Sequence, residues 1–182
     1  MRLSTLHLIR ATIIVAVIAT GGESGGQTPT PTVSVEPEYL ATAELPVEPA
    51  QSAGSRVIVN VPAGGTVRGP KINGTLVAPS GDWLIVMPDG SVRLDVRATI
   101  KTDDGEIILV TYSGAIASGK EVNERLNNGE VLTTKDYEYF ITAPQFTTGS
   151  KKYDWLNRIQ AVGKMVSLQR GVKIKYDWFI VR

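Results

Sequence analysis

The fold class this sequence predicts is all-β: a single antiparallel β-barrel of about nine or ten strands with one short helix, or alternatively a β-sandwich. Three observations carry that reading. The run Val92-Arg93-Leu94-Asp95-Val96-Arg97-Ala98-Thr99-Ile100-Lys101 alternates apolar and polar residues without a break, the period of a strand with one face in a core. Turn chemistry brackets it, Pro88-Asp89-Gly90 before and Asp103-Asp104-Gly105 after. Only 121–127, within GKEVNERLNNGE, reads as helix. Many strands joined by tight turns favour a sheet closed on itself, because closure removes unpaired edges.

The elements follow in order. Arg2 and Arg10 precede the apolar run ATIIVAVIAT at 11–20, and Gly21 and Gly22 follow it. A positive start, a short apolar stretch and small residues make residues 1–21 a predicted signal peptide. The run falls short of the roughly twenty residues that cross a bilayer as a helix. The mature chain is therefore expected in the periplasm or outside the cell, with no stable membrane span after cleavage. Residues 22–37, GESGGQTPTPTVSVEP, are rich in Gly, Ser, Thr and Pro and read as a flexible tether. The barrel domain is placed at 38–182, with strands at about 39–47, 56–61 and 71–77. A strand at 83–87 turns into 92–101, which returns as 106–112. After the helix come a strand at about 137–143 and a pair, 159–168 and 172–178, joined through Arg170-Gly171.

Composition narrows the chemistry. The chain has 182 residues, with 19 basic against 18 acidic side chains, which makes no field to gather nucleic acid. Cysteine is absent and the one histidine, His7, lies in the predicted export segment. A disulfide framework, a thiolate nucleophile and a zinc–sulfur site are thereby excluded from the domain, and neither metal nor cofactor is expected. Gly64, Gly65, Gly69 and Gly74 are followed by no Lys-Ser/Thr and open no helix, so they read as turns or a bend in a curved sheet.

Several dispersed pieces share one order and spacing. They are Gly64-Gly65 with Gly69-Pro70 and Gly74, Asp82-Trp83, Asp95-x-Arg97, Thr102-Asp103-Asp104-Gly105, Tyr139-Phe140, Pro144-x-Phe146 and Tyr153-x-Trp155-Leu156-Asn157. In these the chain resembles the domain-of-unknown-function family 3237, small proteins of bacteria and fungi, from about Tyr39 to the C-terminus. The resemblance implies a compact antiparallel barrel and no established activity. The chain departs from the family pattern at Ile141, where an arginine is expected after Tyr-Phe, and at Thr147, where a glutamate is expected after Phe146.

Asp95 and Arg97 stand two apart on one strand and so leave the same face. In a sandwich that face is solvent and the pair is a surface ion pair. In a barrel with a polar lumen the pair orients a polar ligand and supports acid–base chemistry. The lumen arrangement is the expectation: Asp95 and Arg97 inward near Trp83 and Tyr139, with Trp155 and Asn157 closing one end. The candidate ligand-binding residues are Asp82, Trp83, Asp95, Arg97, Tyr139, Trp155 and Asn157. The same expectation needs Val92, Leu94, Val96, Ala98 and Ile100 to be one buried row, packed outward beneath some cover. Three functional classes follow: an exported small-molecule-binding barrel, a histidine-free acid–base enzyme of isomerase, lyase or cyclase type acting on a small polar organic molecule, or a non-catalytic protein-interaction module. A pocket with buried carboxylates favours the enzyme, a purely apolar one the carrier, and a filled lumen the interaction module.

Overall fold

The computed structural model describes residues 35–182. The predicted export segment and nearly all of the predicted tether lie outside the described residues. The strands are β1 (Pro37–Pro46), β2 (Gln51–Ala53), β3 (Arg56–Asn60), β4 (Thr66–Arg68), β5 (Asn73–Val86), β6 (Val92–Thr102) and β7 (Ile107–Ala117). Helix α1 (Lys120–Asn127) follows, then β8 (Val131–Thr133), β9 (Tyr139–Thr147), β10 (Ala161–Gln169) and β11 (Lys173–Val181).

Eight of these strands close a barrel. The circuit runs β5-β4-β1-β11-β10-β9-β7-β6 and returns to β5, every described pairing being antiparallel. β3 continues the sheet from the second half of β5 and carries β2, while β8 pairs with β10. The barrel, rather than the sandwich, is the fold.

The turns form where the sequence places them. In the β6–β7 hairpin Gly105 takes φ +92°, a left-handed conformation that side chains disfavour. The Gly105 N–H donates to the Thr102 carbonyl at 2.9 Å. Helix α1 matches the predicted segment within a residue. One expectation needs correcting: 71–77 and 83–87 are not separate strands but parts of the single 14-residue β5. Between Val77, opposite Thr99, and Gly81, opposite Arg97, β5 takes four steps where β6 takes two. An even surplus leaves facing parity intact, so Leu76, Asp82 and Leu84 all turn to the same side. The short β2, β4 and β8 carry too few residues to show a period.

The inner faces split the lumen in two. Around the β6–β7 hairpin end it is filled by Leu40, Ile72, Leu76, Ile100, Ile108 and Trp178, all at most 1% exposed. Leu156 seals this end from a 3-10 turn at Asp154–Arg158. Close packing there depends on small residues. A Cβ on Gly69 would stand 2.1 Å from the Leu40 carbonyl oxygen, so β4 lies against β1 only with glycine at that point. Toward the opposite end, the side chains stop short of filling the space.

Candidate functional site

That unfilled half is a cavity of about 360 Å³, within the usual range for small-molecule sites. Its walls are mostly aliphatic, including Val57, Val59, Leu84, Val92, Leu94 and Val96, with Leu126 and Asn123 of α1 at one side. The turn at Gly90, the segment after β1 and the β10–β11 turn surround the mouth, where Glu48, Ser118 and Arg170 contribute polar groups.

One carboxyl interrupts the apolar wall. Asp82 sits on β5 in phase with Leu84, and its Oδ1 accepts the backbone N–H of Asp95 at 3.1 Å. Burial is the main influence on it and raises its pKa to about 6, against the lowering effect of that hydrogen bond. Tyr112 of β7 and Tyr176 of β11 line the same cavity with rings edge to face, their centroids 6.1 Å apart. Burial pushes both phenols above their ordinary range, and the Asp82 carboxylate adds to the effect, so both stay neutral donors. Tyr137, from the segment before β9, completes the aromatic side with Phe140 at 5.2 Å. The group can bind an apolar molecule, hold or give a proton at Asp82, and offer phenolic hydrogen bonds to an oxygen.

Among the predicted site residues, Asp82 alone lines this cavity. The lumen placement expected of Asp95 and Arg97 does not hold: both point outward, paired with each other at 3.1 Å with side chains 49% and 57% exposed. The physical reason is cover. Among the described residues no helix or second sheet covers the outer face of β6, and the apolar row takes the lumen, where Leu94, Val96, Ala98 and Ile100 are buried and Val92 is partly buried. Trp83 also faces out, with the Arg97 guanidinium 5.7 Å from its ring centroid. Tyr139 is exposed on the outer side of β9. Trp155 is partly buried beside the filled end, under Lys71 at 5.7 Å. Asn157 braces the loop before it, accepting from the Thr148 N–H at 2.8 Å and donating to the Thr148 carbonyl at 2.9 Å. The YDWLN segment thus closes the filled end, away from the cavity. Ile141 and Thr147 both occupy outward positions of β9, clear of the cavity wall.

Sequence reasoning missed Tyr112, Tyr137, Tyr176 and Arg170. The signal for two of them was present: Tyr176 alternates with Ile174 and Trp178, and Tyr112 with Val110, each in phase with an inward row.

Fold and cavity together define a small antiparallel barrel with an enterable, acid-bearing lumen. The chain belongs to the family described as protein of unknown function (DUF3237), whose model matches residues 29–181. An uncharacterised protein of Rhodopseudomonas palustris is 32% identical over 136 residues, covering 74% of this chain and 88% of that one. A Penicillium herquei protein named as the hydroalkoxylation enzyme phnH is 31% identical over 173 residues, covering 92% of this chain and 97% of that one. The crystal structure of a conserved R. palustris protein of unknown function aligns with a TM-score of 0.75 at 28% identity, covering 83% of this chain and 99% of that one.

Proposed function

We propose that this barrel takes a small, mostly apolar organic molecule into its lumen and moves a proton on it with Asp82. On this reading it is a histidine-free acid–base enzyme of isomerase, lyase or cyclase type. The observation that carries the reading is a carboxyl set in an otherwise aliphatic cavity with its pKa raised to about 6. Such a group gives up and recovers a proton near neutral pH, whereas an ordinary aspartate is already ionised and is a weak acid catalyst.

The relative named as a hydroalkoxylation enzyme suggests which reaction to try first. Hydroalkoxylation adds O–H across C=C. A carbon–oxygen bond forms, one alkene carbon gains a proton, the hydroxyl loses one, and nothing is oxidised or reduced. Asp82 would protonate the carbon and, as a carboxylate, take up the proton that the attacking hydroxyl gives up, with Tyr112 and Tyr176 positioned to hydrogen-bond that oxygen. The test is deuterium incorporation in D₂O, followed by mass spectrometry, with 2-prenylphenol, 2-allylphenol and a β,γ-enone as probes. Wild-type protein should place one deuterium on carbon in at least one probe, with a rate that follows a group titrating near pH 6, and Asp82→Asn should abolish it. No incorporation into any probe, or an Asp82→Asn variant as active as wild type, would sink the reading. A carrier without chemistry is the second reading, favoured by the aliphatic majority of the wall; it requires Asp82→Asn to bind as wild type does and neither protein to exchange deuterium.

We also propose that the protein works after export, on the strength of Arg2, Arg10 and the apolar run at 11–20. N-terminal sequencing of protein from the natural host should find a chain beginning between about Ala19 and Gly26. An intact Met1 chain in the cytoplasm would refute it.

A further inference from the structure

Two hydrogen-bond donors lining the cavity are left underused by the protein, Tyr137 on its aromatic side and Arg170 at its mouth. The Tyr137 hydroxyl is buried with no partner among the described residues. A buried hydroxyl without an acceptor opposes folding unless something else supplies one. Arg170, in the β10–β11 turn, lines the same cavity and donates from Nη1 to Oδ1 of Asn127 on α1. It joins no ion pair among the described residues. A guanidinium carries five N–H donors in a planar fork, so most of its capacity is free. Burial raises the Tyr137 phenol above its ordinary range and the Asp136 carboxylate adds to this, while the Arg170 and Arg125 charges oppose it. The carboxylate of Glu48 also lines the mouth and accepts from Nδ2 of Asn60 at 2.9 Å.

We infer that Tyr137 and Arg170 are the anchoring end of the cavity, a donor pair that seats an anionic oxygen of an otherwise apolar molecule. The substrate class is therefore an amphipathic acid: an aromatic or aliphatic body carrying a carboxylate, phenolate or enolate oxygen. The body fills the aliphatic wall, the oxygen sits at the mouth, and the reacting carbon faces Asp82. This rests on the reading that the lumen is the substrate site and Asp82 its proton donor.

Two matched fluorescent probes test it. 8-Anilinonaphthalene-1-sulfonate and N-phenyl-1-naphthylamine share an aromatic body and differ in the anionic group. Wild-type protein should bind the sulfonate about tenfold more tightly than the neutral dye. Arg170→Met should erase that preference and Tyr137→Phe should reduce it about threefold, with neutral-dye affinity unchanged in both. Asp82→Asn should leave the preference intact while abolishing deuterium incorporation, which separates anchoring from acid catalysis. An Asp82→Asn variant that keeps both would end the catalytic reading and leave the anchor standing. If Arg170→Met and Tyr137→Phe keep the wild-type preference, or if wild-type protein binds neither dye, the anchor is refuted. Equal loss of both dyes in the variants, with circular dichroism unchanged, would show that the residues shape the cavity and read no charge, which also refutes it.

Discussion

Replacing Asp82 by asparagine should make the folded protein more stable at neutral pH while removing its proposed activity. Folding takes the Asp82 carboxyl from an ordinary value near 3.8 to about 6, because the aliphatic wall penalises the charge more than the Asp95 N–H relieves it. The folded state therefore holds this proton more tightly than the unfolded chain does. The stability that goes with the neutral carboxyl is complete below about pH 3.8 and is lost as pH rises through about 6. Above that window the charge costs roughly 3 kcal/mol, an upper limit because water in the cavity shares part of it. Asparagine keeps an oxygen to accept the Asp95 N–H and never ionises. Urea unfolding followed by tryptophan fluorescence should then show Asp82→Asn more stable than wild type by about 1–3 kcal/mol near pH 8. The gap should shrink below about 0.5 kcal/mol near pH 3.5, where the wild-type carboxyl is protonated in the folded state and mostly protonated in the unfolded chain. A variant no more stable at pH 8, or a gap that ignores pH, would mean the carboxylate is well solvated in the folded barrel. The burial argument, and the case for Asp82 as a tuned acid, would fall with it.

Three further outcomes follow from the packing. Leu94→Asp puts a second carboxyl on the lumen wall where Leu94 is 6% exposed, and should lower the thermal midpoint by about 10 °C or more; a shift of a degree or two would show that the row is not core. Gly69→Ala drives a methyl to within 2.1 Å of the Leu40 carbonyl oxygen, so it should cost about 2 kcal/mol or more in chemical denaturation, and a neutral result would mean that β4 does not press on β1. Asp95→Ala with Arg97→Ala, read as a double-mutant cycle, should give a coupling under about 1 kcal/mol and leave dye binding untouched, since the pair is half-exposed on the outer face. Loss of dye binding in Arg97→Ala would reopen the outer face as a ligand site.

Alternation along β6 identified a buried row and an exposed row, and it did so correctly, because burial of one face is what period two records. It left open which face of a closed sheet is inside. That depends on what covers the outside, a property of the whole barrel that no single strand contains. Among the described residues there is one short helix and no second layer over β6, so its charges stay half-exposed outside and the apolar row makes the lumen. The two strands expected at 71–77 and 83–87 are one strand, because β5 carries two surplus residues between Val77 and Gly81 without changing facing parity. Tyr137 and Arg170 lie in connecting segments with no period at all and share a cavity only because the sheet closes. Asp82 is the instructive case. A motif singled it out, but its phase gives the physical reason, since it falls between Leu76 and Leu84 on the inward parity of β5. A carboxylate in phase with an apolar row is costly to keep there, and the sequence keeps it at the one place where the lumen is open. The proposed chemistry is assigned to that residue for this reason: every other charged side chain near the cavity sits at its mouth and is free to stay hydrated, while Asp82 alone carries its charge against the wall.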